Sequence, residues 1–250
     1  MNLVFASGFL VPQHLLGIDY FHGVSAHLAG RHETLFPFVP PFGTAEERAR
    51  VLADAIDQKF RQGPVHIIAH SMGGLDGRVL IARNHHGLSD PGRIASLTML
   101  STPHRGSPIA DLLAGPKPGG LRRLTYELIS QTIAGLGIPA GAIANLTTES
   151  ASRVPDVATS HAHIRYRSYA ATGRPRTPPT CFLLALTHHY IHEVTGEEND
   201  GAVAVGSAKY GEFQEPPWRC DHFDMIGHNL DGVGPRFDHL AHIDAIIERL

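Results

Sequence analysis

The stretch HIIAHSMGGLDGR, residues 66 to 78, constrains the chain more than any other. The run from Val65 to Ala69 is short, apolar and bounded by Gly63-Pro64, so it reads as a buried strand. The residues after it, GGLDGRVLIARNHH, read as a helix. At the junction stands Ser71, with Ala69 two residues before it and Gly73 two residues after. A turn this tight strains the backbone of its central residue, and only small side chains fit at those flanking positions. The helix that follows aims its first amides at the same point, which favours a developing negative charge. The plainer reading of Ser71 is a helix N-cap, and the small flanking residues favour the nucleophile turn over it.

Elements on either side repeat the alternation. LVFA at 3 to 6 suits a first buried strand that ends at Ser7-Gly8, and YFHGVSAHLA at 20 to 29 reads as a helix interrupted by Gly23. TLFPFVPPFG, from residue 34, is a short strand running into a loop. TAEERARVLADAIDQKF has a threonine cap, acidic residues in its first turn, and Val51, Leu52, Ala55, Ile56 and Phe60 on one side, which predicts a helix. RIASLTMLST at 93 to 102 is another apolar strand, and GSPIADLLAG begins a further helix. The order strand, helix, strand, helix, strand predicts an α/β fold with a mostly parallel central sheet and helices on both faces. Its length of 250 residues suits one domain spanning 1 to 250.

After PKPGG, the segment LRRLTYELISQTIAGLG places Leu121, Leu124, Leu128, Ile129 and Ile133 at helical spacing. It is either a plain amphipathic helix on the core or part of a lid within residues 104 to 145. IRYRSYA at 164 to 170 alternates like a strand, CFLLALTHHYIHEV at 181 to 194 is helical, and DHLAHIDAIIERL forms the last helix. AVAVGSAKYG, after Asp200-Gly201, reads as a β-rich run.

Composition narrows the partners. A net charge of −3 gives no electrostatic case for nucleic acid or an anionic membrane. No run of 18 apolar residues exists, so no transmembrane helix is expected. MNLVFASGFLVP lacks a basic segment before its apolar run, so no signal peptide is expected, which leaves a cytoplasmic location and signal-independent export both open. The chain holds 18 histidines; His188 and His192 are four apart and His85 and His86 adjacent, but neither pair has the HExxH acid, so no metal is expected.

A serine is a poor nucleophile unless a base takes its proton. In the strand–serine turn–helix arrangement an acid and then a histidine follow the nucleophile. Asp200 sits in the tight turn of GEENDGAVAVGS, and His222 lies between two aspartates in CDHFDMIGH. Asp200 can hold one imidazole nitrogen and leave the other to face Ser71. His188, His189, His192, His228, His239 and His242 compete with His222, and the residues alone leave that choice open. Two backbone donors are needed for the tetrahedral intermediate. The amide of Met72 directly follows the nucleophile, and the amide of Phe9 lies in the loop after the first strand. The plainer reading of Ser7-Gly8 is an ordinary strand-ending turn.

Several motifs, in order, resemble the bacterial true lipases of the Pseudomonas, Burkholderia and Proteus type, which are α/β-hydrolases. They are YFHGVSAHL, IIAHSMGG, STPHRGSPIADLL, NLTTES, ENDGAVAVGSAKYG and DHFDMIGH. The resemblance implies an α/β-hydrolase fold, Ser71 as nucleophile, Asp200 as acid, His222 as base, and Phe9 and Met72 as oxyanion donors. It implies a lipase cleaving acylglycerols or related acyl esters through an acyl-enzyme, with lipid-interface contact at an apolar lid. Two rivals share the triad: a short-chain esterase and a polyester depolymerase. A third rival is a non-catalytic binding protein on the same scaffold.

The chain also departs from that family. Ser7 stands where the family has a histidine before the first oxyanion donor. The family's calcium brace has one aspartate aligned with Asp224; the second falls near residues 178 to 181, which are PPTC here, and a glutamine appears as His228. Calcium takes several hard oxygen ligands, so no cofactor is expected. Cys181 lies where the missing aspartate should be, and Cys220 lies two residues before His222. A disulfide in place of the calcium is one expectation, and two free thiols the other.

Overall fold

Alternation along the central strands sets the layering. In β1 (Asn2–Ala6), Leu3 and Phe5 point to one side of the sheet, and Val4 and Ala6 to the other. In β5 (Val65–His70), Ile68 joins the first side, while Val65, Ile67 and Ala69 join the second. Both faces are therefore apolar and both must be covered, as in a parallel sheet. In the computed structural model, residues 1–9, 14–15, 18–120, 122–135, 143–173, 182–229 and 237–250 are described.

The main sheet also contains β4 (Glu33–Leu35), β6 (Ile94–Leu100), β7 (Arg165–Tyr169) and β8 (Glu212–Phe213). Its order is β4-β1-β5-β6-β7-β8, and each neighbouring pair is parallel. Two short strands, β2 (His14–Leu15) and β3 (Ile18–Asp19), pair antiparallel apart from it. The chain leaves β1 for β4 on one side and then crosses to β5 on the other. The strand order reverses at β1, and a crevice opens there at the carboxyl ends of β1 and β5.

Helices α2 (Ala45–Lys59) and α3 (Gly73–Arg83) cover one face, with Leu52, Ile56, Val79 and Leu80 packed on Val4 and Ile67. The other face is covered by α1 (Val24–Leu28) and the C-terminal α9 (His239–Ile247) through Leu28, Ile243 and Ile246. The expected cap of α2 is a full capping box: Thr44 N–H donates to Glu47, and Glu47 N–H to the Thr44 hydroxyl. Over the strand ends lie α4 (Pro108–Ala114), α5 (Arg122–Gly135), α6 (Thr148–Ser152) and α7 (Phe182–Thr195). Leu112, Ile129 and Tyr190 join α4, α5 and α7 into a small apolar cluster.

Two expectations need correction. Gly23 precedes α1 in the left-handed conformation (φ 69°), so it starts the helix and does not interrupt it. The run from Ala202 to Gly211 is not β-rich: it forms a short helix, α8 (Val205–Ala208), before the two-residue β8. The amides of Ala202 and Val203 are spent on the Asp200 carboxylate and are lost to a ladder.

Candidate active site

Ser71 directly follows β5 with φ 55°, a conformation that costs a non-glycine residue about 1–3 kcal/mol. The surroundings hold it there. Its amide donates to the Leu100 carbonyl of β6 at 2.9 Å. A Cβ on Gly73 would run into the Ala6 carbonyl oxygen and lie 2.8 Å from that of Ser7. Ala69 is fully buried. The small residue at 73 is thus required by the close approach of the end of β1. Met72 follows as the N-cap of α3 with its side chain buried beside Phe9, Ala110 and Ile143.

His222 and Asp200 come together across 22 residues. Nδ1 of His222 is 2.7 Å from Oδ2 of Asp200, and the His222 amide donates to the Asp200 carbonyl at 3.1 Å. The other carboxylate oxygen, Oδ1, accepts from the amides of Ala202 (2.9 Å) and Val203 (2.7 Å). Burial alone would raise the Asp200 carboxyl, but the His222 charge and these bonds outweigh it and hold the group below the ordinary carboxylate value. An ionised carboxylate only accepts, so Nδ1 of His222 carries a proton, and whenever the ring is neutral Nε2 is the nitrogen with the lone pair. Among the described residues, none of the six rival histidines bonds to Asp200.

Ser71 and His222 line one pocket of about 460 Å³, and Phe9 lies on the same wall. Its lining is almost wholly apolar, with Leu113 from α4, Leu128 and Ile129 from α5, and Leu184 from α7. The expected lid segment contributes through α4 and α5; residues 121 and 136–142 fall outside the described residues.

Sequence reasoning missed several supporting side chains. Ser107 Oγ donates to the Ala202 carbonyl at 2.8 Å, which belongs to the same peptide as the Val203 amide on Asp200. Ser207 Oγ donates to the Gly106 carbonyl at 2.7 Å and accepts from the Arg105 amide at 3.1 Å. The STPHRGS motif therefore grips the turn after Asp200. Arg48 and Asp76 form a fully buried ion pair beside Ser7 and Gly8. Burial pushes the Asp76 carboxyl up to about 6 against the pull of Arg48. Tyr20 is hydrogen-bonded to Nδ1 of His70 at 2.7 Å, and the His70 and His222 rings lie 4.5 Å apart. Burial holds His70 well below the ordinary imidazole value, so it is neutral. The only sequence signal for these groups was a charge or hydroxyl inside an apolar stretch.

Among the described residues, the donors at the expected calcium site do not suit that ion. Asp224 accepts from the Asp221 amide at 3.2 Å, and Nε2 of His228 bonds the Tyr20 carbonyl at 2.9 Å. Nitrogen at that position is no hard oxygen ligand. Residues 178 to 181, and with them Cys181 and the disulfide expectation, lie outside the described residues; Cys220 is buried. Among the described residues no group of three or more His, Cys, Asp or Glu is arranged to hold a metal ion.

Comparison with solved structures agrees with this architecture. The mature form of Bacillus licheniformis lipase BlEst2 superposes with a TM-score of 0.69 at 22% identity, covering 92% of this chain and 87% of that one. The fold is the α/β-hydrolase fold. In sequence, the chain is 32% identical over 222 residues to triacylglycerol lipase 2 of Saccharomyces cerevisiae, which takes in 85% of this chain. It spans 64% of the yeast protein's length. It is 26% identical to a triacylglycerol lipase of Vibrio cholerae, covering 94% of this chain and 82% of that protein. No family model matches. The chain is thus similar in sequence to two proteins named as triacylglycerol lipases, and similar in fold to a solved lipase structure.

Proposed function

We propose that this protein is a serine hydrolase of carboxylic esters, of the lipase type, acting on acylglycerols or related acyl esters. The observation that carries the reading is a serine in a strained turn that shares an almost wholly apolar pocket with a histidine anchored on a buried carboxylate. Ser71 attacks the ester carbonyl. His222 accepts the serine proton on Nε2 and later returns it to the departing alcohol, while Asp200 holds the tautomer and stabilises the imidazolium. The amides of Phe9 and Met72 hold the oxyanion. Water then releases the acid from Ser71 by the same route. The apolar walls from α4, α5 and α7 suit an acyl chain, and a lid lies within residues 104 to 145, carried by α4 and α5. The lipase names of the yeast and Vibrio relatives support acylglycerols as substrates. The finer kinship to the Pseudomonas, Burkholderia and Proteus lipases rests on the order of the motifs.

Initial rates on p-nitrophenyl esters from acetate to palmitate test the reading, with Ser71→Ala as control. Turnover of long esters that disappears in a folded Ser71→Ala variant is expected. Turnover confined to short esters would make it an esterase. No turnover on any ester, or full activity without the serine, would overturn the assignment.

A further inference from the structure

Gly8 crosses directly over the nucleophile. A Cβ there would lie 2.6 Å from the Cβ of Ser71 and 2.5 Å from the Tyr20 hydroxyl, so only glycine fits. Glycine also brings the widest choice of φ and ψ, and something else must remove that freedom. Arg48 stands in place to do so. Its side chain is fully buried, and one nitrogen, Nη2, donates to the carbonyls of both Ser7 (2.7 Å) and Gly8 (3.2 Å). The peptides on either side of Gly8 are therefore both held. The rest of the guanidinium is fixed in turn: Nε bonds Asp76 of α3 at 2.9 Å, and Nη1 bonds the Pro40 carbonyl at 2.8 Å.

A trans peptide is planar, and its carbonyl and N–H point in opposite directions. The Gly8 carbonyl and the Phe9 N–H belong to one such unit. With the carbonyl drawn to Arg48, the Phe9 N–H points away from Arg48. We infer that Arg48, locked by Asp76, is the positioning residue of the oxyanion site, and that it aims the Phe9 amide through the Gly8 carbonyl. The inference rests on the reading of Ser71 as nucleophile and Phe9 as donor. It also accounts for Ser7: with the loop gripped through its backbone, no large side chain at that position is needed for support. As a stability device the pair is a poor choice, because apolar side chains of similar volume commonly do as well or better than a buried ion pair. A fixed, buried donor nitrogen at two consecutive carbonyls is what apolar side chains would not supply.

Two variants test this. Arg48→Lys keeps the charge opposite Asp76 but loses the planar fork. The double variant Arg48→Met with Asp76→Leu removes both charges and leaves no buried ion unpaired. Three quantities are measured: kcat and KM on p-nitrophenyl butyrate, the inhibition constant of a trifluoromethyl ketone whose adduct places an oxyanion in the site, and the thermal midpoint. The expected result is a fall in kcat of about 100-fold, the scale of one lost oxyanion donor. KM should stay within about twofold, and ketone affinity should fall in parallel with kcat. The double variant leaves the Ser7, Gly8 and Pro40 carbonyls without their donor, so it should melt below the wild type, and in its folded form it should still show the kcat loss. Either variant turning over within about threefold of wild type would overturn the inference, as would KM rising while kcat holds. A wild type without esterase activity, or an active Ser71→Ala, would instead overturn the parent reading.

Discussion

Replacing Asp200 by asparagine should trap His222 in the wrong tautomer, and the surroundings of the carboxylate say why. Asp200 is fully buried, so the new amide has two orientations and no water to share. At Oδ1 two backbone donors converge, from Ala202 at 2.9 Å and Val203 at 2.7 Å. An NH₂ group there would face two N–H groups and leave all of them unpaired, at about 1–3 kcal/mol for each buried group. The asparagine therefore turns its carbonyl to the amides and its NH₂ to Nδ1 of His222, 2.7 Å away. Nδ1 must then accept, the proton moves to Nε2, and the ring loses the lone pair that the proposed mechanism uses to take the serine proton. The fold should survive, since each remaining donor still finds an acceptor and one buried charge is gone. By the logic of a serine triad with its acid neutralised, kcat/KM should fall by about 10³–10⁴-fold, or about 4–5.5 kcal/mol of transition-state stabilisation. Rates on p-nitrophenyl butyrate against a thermal melt of the same preparation make the assay. A variant that melts within a few degrees of wild type and keeps kcat/KM within tenfold would refute the reasoning.

Gly73→Ala should be badly tolerated, because the added methyl meets two backbone carbonyls of the β1 end that cannot swing aside. A loss of about 2–3 kcal/mol of stability, read by urea denaturation, is expected, and a wild-type midpoint would contradict it. Ser107→Ala leaves the Ala202 carbonyl without its buried donor; a loss of about 1–3 kcal/mol and a drop in kcat larger than any change in KM are expected. Stability should also fall in acid. Burial keeps His70 and His104 neutral, so below the ordinary value of 6.5 the unfolded chain binds protons that the fold refuses. Asp76, raised to about 6, works the other way: its contribution is present in acid and is lost as pH rises through that value. These two imidazoles against one carboxyl give the unfolded chain an excess of about one proton, and the lowered imidazoles of His66, His228 and His239 add to it. From about pH 6 toward pH 4 the unfolding free energy read from urea melts should therefore decline, by about 1.4 kcal/mol per pH unit or more. A midpoint that rises toward pH 4 would reverse the sign of this argument.

Much of this was legible in the chain itself, for a local reason. The turn at Ser71 is written in five adjacent residues, because the constraint is steric contact within one strand-to-helix junction and the strand beside it. The α/β alternation and the capping box of α2 are likewise local, carried by periodicity and by side chains three residues apart. The fate of residues 202 to 211 was not. Their β-branched and small residues suit a strand, but the amides at the start of the run serve a carboxylate, and that demand comes from the tertiary fold. Pairing across the chain was equally hidden. Asp200 could have held any of several histidines, and only the path of the backbone from β7 past α8 brings His222 to it. Arg48 lies in a segment read only as a helix, and Ser107 in one read only as the start of another. They gained their contacts to Gly8 and Ala202, 40 and 95 residues away, when the sheet brought the ends of β1 and β5 together beneath the loops. The sequence by itself determined where a nucleophile turn could form and which layers would surround it. Tertiary structure decided which distant groups hold that turn's partners in place, because a hydrogen bond depends on separation in space and is blind to separation along the chain.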